Sequence, residues 1–263
     1  MDVVRLLPRL HMLRFPIGQA YVWRDGERDA DGELTLVDAG WAGSAPVIER
    51  GLRGAGLRPE NLRRIVLTHC HRDHVGAAEE LAGRYGCEVV AHRLDAAHVR
   101  GEAPVPEPDL LEWEVPLYAH GLTVPPAPPT RVDREVSDGD GLGFGDGAVA
   151  VHTPGHTPGS MAVHLPYHGV LFTGDTVASA ERVALGVFHV DRAAATASLQ
   201  RLAALPHGTV TLLCCGHGEP SAAPVGDPTA VADALLAAAA SSPASPLPGG
   251  IDGDAAPGPS RPA

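Results

Sequence analysis

Lysine is absent from this chain of 263 residues: all 20 basic side chains are arginine, set against 32 aspartates and glutamates. The formal charge of −12 repels phosphate backbones and offers no counterion release, so nucleic acid is not expected as a partner. The missing lysine, beside abundant alanine, glycine and proline, is the compositional mark of a GC-rich coding sequence and carries no mechanism. Cysteine is scarce. Cys70, Cys87, Cys214 and Cys215 have no framework spacing, and adjacent Cys214 and Cys215 project to opposite faces of a strand, as in a reduced protein. No apolar run reaches membrane-spanning length. Met1 to Leu13 alternates apolar residues with arginine and proline instead of forming the apolar centre of a signal peptide. A cytoplasmic protein without a membrane partner is the expectation.

What is present is concentrated chemistry. In Thr68-His69-Cys70-His71-Arg72-Asp73-His74, three imidazoles and a carboxylate crowd into one turn after the apolar run Ile65-Val66-Leu67. Such a group is costly to desolvate unless it holds a metal, and imidazole with carboxylate suits zinc or iron. His69 and His71 are two apart, so in an extended segment they project to one side and can hold one ion. Asp73 and His74 are adjacent and diverge, which suits them to a second ion nearby. Cys70, between two ligands, points away.

Further candidate ligands stand where apolar strands run out, the edge at which α/β sheets gather their sites. His156 lies in a loop fixed by glycine and proline after Ala148-Val149-Ala150-Val151. Asp175 ends Val170-Leu171-Phe172-Thr173-Gly174-Asp175, and His217 follows Val210-Thr211-Leu212-Leu213.

These motifs together resemble the metallo-β-lactamase-fold superfamily of hydrolases. The resemblance rests on His69 to His74, on His152-Thr153-Pro154-Gly155-His156-Thr157-Pro158-Gly159, on Gly174-Asp175 and on Gly216-His217-Gly218. Leu36-Val37-Asp38-Ala39-Gly40 adds to it, so that it runs from Tyr21 to about Pro220 in the family's order. It implies a four-layer αββα sandwich. It also implies that His69, His71 and His156 bind one metal and that Asp73, His74 and His217 bind a second, with Asp175 bridging. Asp38 would lie beneath the metal loop as an outer partner, and His152 is a second candidate for that role. Two zinc ions are implied, with iron or manganese as alternative occupants. Asp73 would also serve catalysis by orienting the nucleophile and passing a proton to the leaving group.

The implied reaction is hydrolysis of a small ester, thioester or lactone. Members that are true β-lactamases lack the bridging aspartate, so Asp175 argues against that activity. The glutathione-binding helical domain of the glyoxalase II branch has no match after His217, and the pocket tyrosine of lactonases has no assignable counterpart. The rival reading is a persulfide dioxygenase holding a single iron through His69, His156 and Asp175. A non-catalytic relative would be expected to have lost ligands. The partner is a small molecule, and a homodimer is compatible with the sequence.

The organisation is one domain over 1–240 with a Pro/Gly/Ser/Ala-rich tail, 241–263, expected to be disordered. Strands are expected at Gln19 to Arg24, Glu33 to Val37, Arg64 to Leu67 and Glu88 to Ala91, with a polar hairpin from Asp25 to Gly32. Helices are expected at Pro46 to Ala55, capped by Ser44, at Val75 to Tyr85 and at Pro228 to Ala240. Residues 93–138 form an insertion with two proline-rich stretches around an apolar patch. Only 4% of the chain is aromatic, yet Trp113 and Tyr118 fall together in that patch. They read equally as a lid lining a substrate pocket and as an anchor pinning the insertion to the core. The other histidines, His207 among them, lack ligand spacing and are expected to be surface or hydrogen-bonded core residues.

Overall fold

Thirteen strands and seven α-helices build two stacked sheets in the computed structural model, which describes residues 1–26, 32–179, 182–206, 208–224, 226–227 and 229–241. Most of the expected polar hairpin, His207 and the expected tail beyond Ser241 lie outside the described residues. The first sheet holds β1 (Asp2–Leu7), β2 (Leu10–Arg14), β3 (Gln19–Arg24), β4 (Leu34–Val37), β5 (Leu62–Val66), β6 (Glu88–His92) and β7 (Arg134–Val136), in chain order across the sheet. Pairing is antiparallel up to β4 and parallel from β4 to β7. The second sheet contains β8 (Val149–His152), β9 (Met161–Leu165), β10 (Val170–Ser179), β11 (Val183–Leu185), β12 (Leu212–Gly218) and β13 (Ser221–Ala222). Its order is β13-β12-β10-β9-β8, with β11 paired to β10. The helices are α1 (Ala45–Gly54), α2 (Arg72–Val75), α3 (Ala78–Tyr85), α4 (Ala96–Val99), α5 (Val115–Gly121), α6 (Arg192–Ala203) and α7 (Ala230–Ala240).

Side-chain alternation explains why these strands stack into four layers. Successive residues of a strand face opposite sides. Ala20 and Val22 of β3 face α1 and α3, whereas Tyr21 and Trp23 face the second sheet. In β10, Phe172 meets the first sheet while Leu171 packs under α6 and α7. Cys214 and Cys215 divide the same way, as their adjacency requires. Three apolar clusters result, one between the sheets and one beneath each helical layer, which is the expected αββα sandwich.

Several expectations need correction. The N-terminal hairpin of β1 and β2 was not anticipated from sequence. Ser44 occupies the N-cap position of α1, but its hydroxyl makes no cap bond and is buried without a partner. The helix expected from Val75 to Tyr85 is split into α2 and α3. The Gly76 amide donates to the Gly40 carbonyl at 2.8 Å, outside the helical ladder, and the Trp41 backbone packs where a Cβ would sit. The insertion closes earlier than position 138, since β7 pairs in parallel with β6 as part of the first sheet. Asp175 and His217 stand inside long strands, not beyond their ends. The last helix begins at Ala230.

Parallel pairing of β4, β5 and β6 brings their C-terminal ends to one edge, delivering Asp38, the 68–74 loop and Asp95 side by side. The loop after β8 and the middle of β10 meet that edge from the second sheet, where the Met161 amide donates to the Thr68 carbonyl at 2.9 Å.

Candidate metal centre

All seven histidine and aspartate ligands expected from sequence converge at this edge, and they sort into three overlapping groups. Ligand atoms of His69, His71 and His156 lie within 4.8 Å of one another, as do those of His69, His74 and Asp175, and those of Asp73, His74 and His217. Asp73 and His74 were expected to diverge, yet Asp73 Oδ2 is 3.5 Å from His74 Nε2. They sit on the helical turn α2, where adjacent residues are separated by only about 100° and both can face the site.

Asp175 stands between the two sets of nitrogens. Its Oδ2 lies 3.8 Å from His69 Nε2 and 3.6 Å from His156 Nε2, and 3.3 Å from His217 Nε2, while Oδ1 is 3.3 Å from His74 Nε2. Two glycines permit this placement. Gly174 has φ +51° and presses against Thr68, so a Cβ there would overlap the Thr68 hydroxyl; a Cβ on Gly216 would overlap Asp175 Oδ1.

The outer partners decide which nitrogen of each ring faces inward. Asp38, at φ 61°, accepts from the Thr68 amide at 2.8 Å, the Thr68 hydroxyl at 2.9 Å and His74 Nδ1 at 2.9 Å. A carboxylate only accepts, so the Thr68 hydroxyl is spent as a donor and must accept from His69 Nδ1, 3.0 Å away. His156 Nδ1 donates to the Val187 carbonyl at 2.9 Å. His69, His74 and His156 therefore present Nε2 lone pairs to the site when neutral.

Buried polar atoms without partners are rare, and here they cluster. His69 Nε2, His74 Nε2 and Asp175 Oδ1 are buried and make no hydrogen bond. These atoms belong to one ligand group, and their donor chemistry fits a metal cation.

Electrostatics divide the site in two. Burial holds the His69 and His156 pKa values well below the ordinary range, and lowers that of His71, so these rings stay neutral. Burial acts the same way on His74 and His217, but carboxylates outweigh it. Asp175, Asp73 and Asp38 raise His74 well above its ordinary value, and Asp175 with Asp73 lifts His217 to about 10. Conversely, burial favours protonation of Asp73 and Asp175, yet the facing imidazoliums hold both below the usual carboxylate range.

His152 is not in contact with the ligand cluster. It stacks on His92 at 4.1 Å, and its Nε2 bonds the Pro158 carbonyl at 2.9 Å, which braces the loop carrying His156. Sequence reasoning missed a stronger brace. Asp95 is buried; its Oδ2 accepts from the Cys70 amide at 3.0 Å and the Thr157 hydroxyl at 2.6 Å, and its Oδ1 accepts from the Gly159 amide at 2.6 Å. It thus ties the 68–74 loop to the His156 loop. Its position just past β6, at the site edge, was the available signal. Cys70 is buried in the core beneath the first sheet and is not part of any candidate ligand group.

Trp113 and Tyr118 line a cavity of about 980 Å³ that reaches Asp73, Asp175 and His217. Tyr118 packs against Phe188, ring centroids 5.3 Å apart, and donates to Glu107 at 3.2 Å. A residue the sequence did not single out also ties the insertion down. Glu114 is fully buried and accepts from Arg192 at 2.8 Å, from the Leu111 amide at 2.8 Å and from the Phe188 amide at 3.3 Å.

No helix among the described residues is long and apolar enough to cross a membrane. A model of the metallo-beta-lactamase superfamily matches residues 18–217. The hydroxyacylglutathione hydrolase of Fuscovulum blasticum is 36% identical over 189 residues, covering 72% of this chain and 58% of that protein. The "Probable metallo-hydrolase YflN" of Bacillus subtilis is 30% identical over 209 residues, covering 71% and 76%. The chain thus spans about half the length of the hydroxyacylglutathione hydrolases it matches. A metallo-beta-lactamase family protein from Thermus thermophilus superposes with TM-score 0.62 at 26% identity, over 89% of this chain and 80% of that one. The subclass B3 metallo-beta-lactamase BJP-1 of Bradyrhizobium japonicum shares the fold, with TM-score 0.65 at 21% identity over 89% and 90%.

Proposed function

This chain belongs to the metallo-beta-lactamase superfamily, and we propose that within it the protein is a hydrolase using two metal ions to cleave a small ester, thioester or lactone. The observation that carries this reading is the position of Asp175, whose carboxylate oxygens lie 3.3 to 3.8 Å from Nε2 of His69, His156, His74 and His217. His69, His71 and His156 would hold one ion, Asp73, His74 and His217 the other, and Asp175 would be shared. The imidazole and carboxylate donors suit zinc, with iron or manganese as alternatives.

When bound, such a pair supplies a hydroxide at neutral pH and polarises a carbonyl oxygen. The chain's own residues supply the rest. Asp38, Thr68 and the Val187 carbonyl fix the imidazole orientations, so little reorganisation accompanies turnover. Asp73, beside His74 and His217, would be a carboxylate in the loaded site, able to orient a nucleophilic water, take its proton and pass it to the departing alkoxide or thiolate. Phe15, Val177 and Phe188 give the cavity beside the ligand cluster an apolar lining. The named activity of the hydroxyacylglutathione hydrolases favours a thioester among these bonds.

A single-iron persulfide dioxygenase is the less supported reading. It uses only His69, His156 and Asp175 and leaves the convergence of Asp73, His74 and His217 without a role. The test is a panel of thioesters, esters and lactones assayed with and without a chelator. Turnover of at least one class, abolished by the chelator and restored by zinc, is the expected result. Oxygen consumption with a persulfide substrate, and no hydrolysis, would transfer the assignment to the dioxygenase.

A further inference from the structure

The cavity above the cluster says more about the substrate than the cluster does. Its volume of about 980 Å³ is at the upper end of the range that drug-sized ligands fill. Phe15 and Ile17, from the turn between β2 and β3, line it, as do Trp113, Leu117 and Tyr118 of the insertion and Phe188. Pro106, Pro126, Pro128 and Pro129 also line it. Their fixed φ angles stiffen the insertion, so the wall loses little freedom when a ligand enters.

The arginines in this lining are already engaged. Arg14 pairs with Glu219 at 2.6 Å, and Arg72 donates to the Leu122 and Val124 carbonyls at 3.4 and 3.0 Å. The Arg72 contacts tie the insertion to α2. Glu107 and Glu219 add negative charge to the same lining. A leaving group carrying two carboxylates, as glutathione does, would share these arginines with their present partners and face like charge from Glu107 and Glu219. An uncharged apolar chain would displace only water from apolar walls.

Resting on the hydrolase reading above, we infer that the substrate carries a large uncharged apolar acyl group, seated between Phe15-Ile17 and Trp113-Leu117, and leaves a small neutral alcohol or thiol. Hydrolysis adds the elements of water across the acyl bond: the acyl carbon gains the oxygen, and the departing oxygen or sulfur takes the proton.

The test is a series of N-acetylcysteamine thioesters with acyl chains from two to ten carbons, compared with lactoylglutathione. kcat/KM is expected to rise about two- to fourfold per methylene over the first several carbons, the gain from burying each one. Trp113→Ala and Leu117→Ala are each expected to flatten that slope, and lactoylglutathione should be the poorer substrate. Turnover that ignores chain length, or prefers lactoylglutathione, overturns the apolar seat while leaving the hydrolase reading intact. If no thioester is cleaved, calorimetric titration with the matching unreactive amides separates the two ideas. Affinity rising with chain length then upholds the seat with only the thioester form of the hydrolase reading lost, and affinity independent of chain length overturns the seat as well.

Discussion

Replacing Asp38 by Asn changes one atom and should reverse two imidazoles. Asparagine tolerates the left-handed backbone at this position, φ 61°, and its carbonyl oxygen can still accept from the Thr68 amide. Its NH₂ would then face the Thr68 hydroxyl and His74 Nδ1, where the carboxylate oxygen Oδ2 now accepts at 2.9 Å from each. A donor in that place requires His74 Nδ1 to accept, which puts the proton on Nε2 and turns a lone pair away from the site. The Thr68 hydroxyl, no longer donating to position 38, is free to donate to His69 Nδ1, which would reverse that ring too. Losing one outer partner typically costs about 10- to 100-fold in metal affinity. Two reversed rings acting independently give about 10²- to 10⁴-fold, equivalent to about 3–5.5 kcal/mol. The metal-free fold should lose far less, about 1–3 kcal/mol for weakened charge-assisted hydrogen bonds. Zinc competition against a chromophoric chelator, with urea unfolding of the metal-free protein alongside, reads both quantities. Zinc affinity within about threefold of wild type would refute the tautomer argument.

Asp175→Ala should fold, since the side chain is not part of any apolar cluster, but lose metal and nearly all hydrolysis; retention of both ions on elemental analysis would remove Asp175 from the site. Gly216→Ala should shift β12 or Asp175, because the new Cβ overlaps Asp175 Oδ1; about 1–3 kcal/mol of stability and most bound metal should be lost, and wild-type metal content would contradict this. Metal-free protein should also respond to alkali with a definite sign. His217 is raised to about 10 from an ordinary 6.5 by Asp175 and Asp73, so its ion pairs stabilise fully below about pH 6.5 and fade as pH climbs through 10. Urea midpoints in chelator should therefore fall between pH 6 and pH 10, and an unchanged or rising midpoint would contradict the pairing. Protons and metal compete for the same nitrogens of His74 and His217, so zinc uptake there should weaken towards acid pH and release protons measurable in weakly buffered solution.

The candidate ligands, and their convergence, were legible because their chemistry is local. His69 to His74 lie in one turn, and His156, Asp175 and His217 are each flagged by glycine beside an apolar strand. The four-layer fold was legible through the resemblance those motifs carry, and the alternating strands agree with it. What sequence could not show depends on distant contacts. Asp95 reads as one more surface carboxylate until β6 brings it under the Thr157 hydroxyl, 62 positions away. Glu114 reads as a charged residue among apolar neighbours until Arg192 covers it. The break between α2 and α3 arises because Gly76 docks on the Trp41 backbone, a tertiary contact that overrides an otherwise continuous helical pattern. His152 was picked for its nearness to His156 in sequence, but its ring turns to His92 instead.

The most direct measurement is elemental analysis of wild-type protein purified without added metal. Close to two zincs per chain, falling in Asp175→Ala, is the expected result for two ions sharing one carboxylate. A single iron per chain, with Asp73, His74 and His217 dispensable for holding it, would contradict the dinuclear site and point to oxidation of a sulfur substrate.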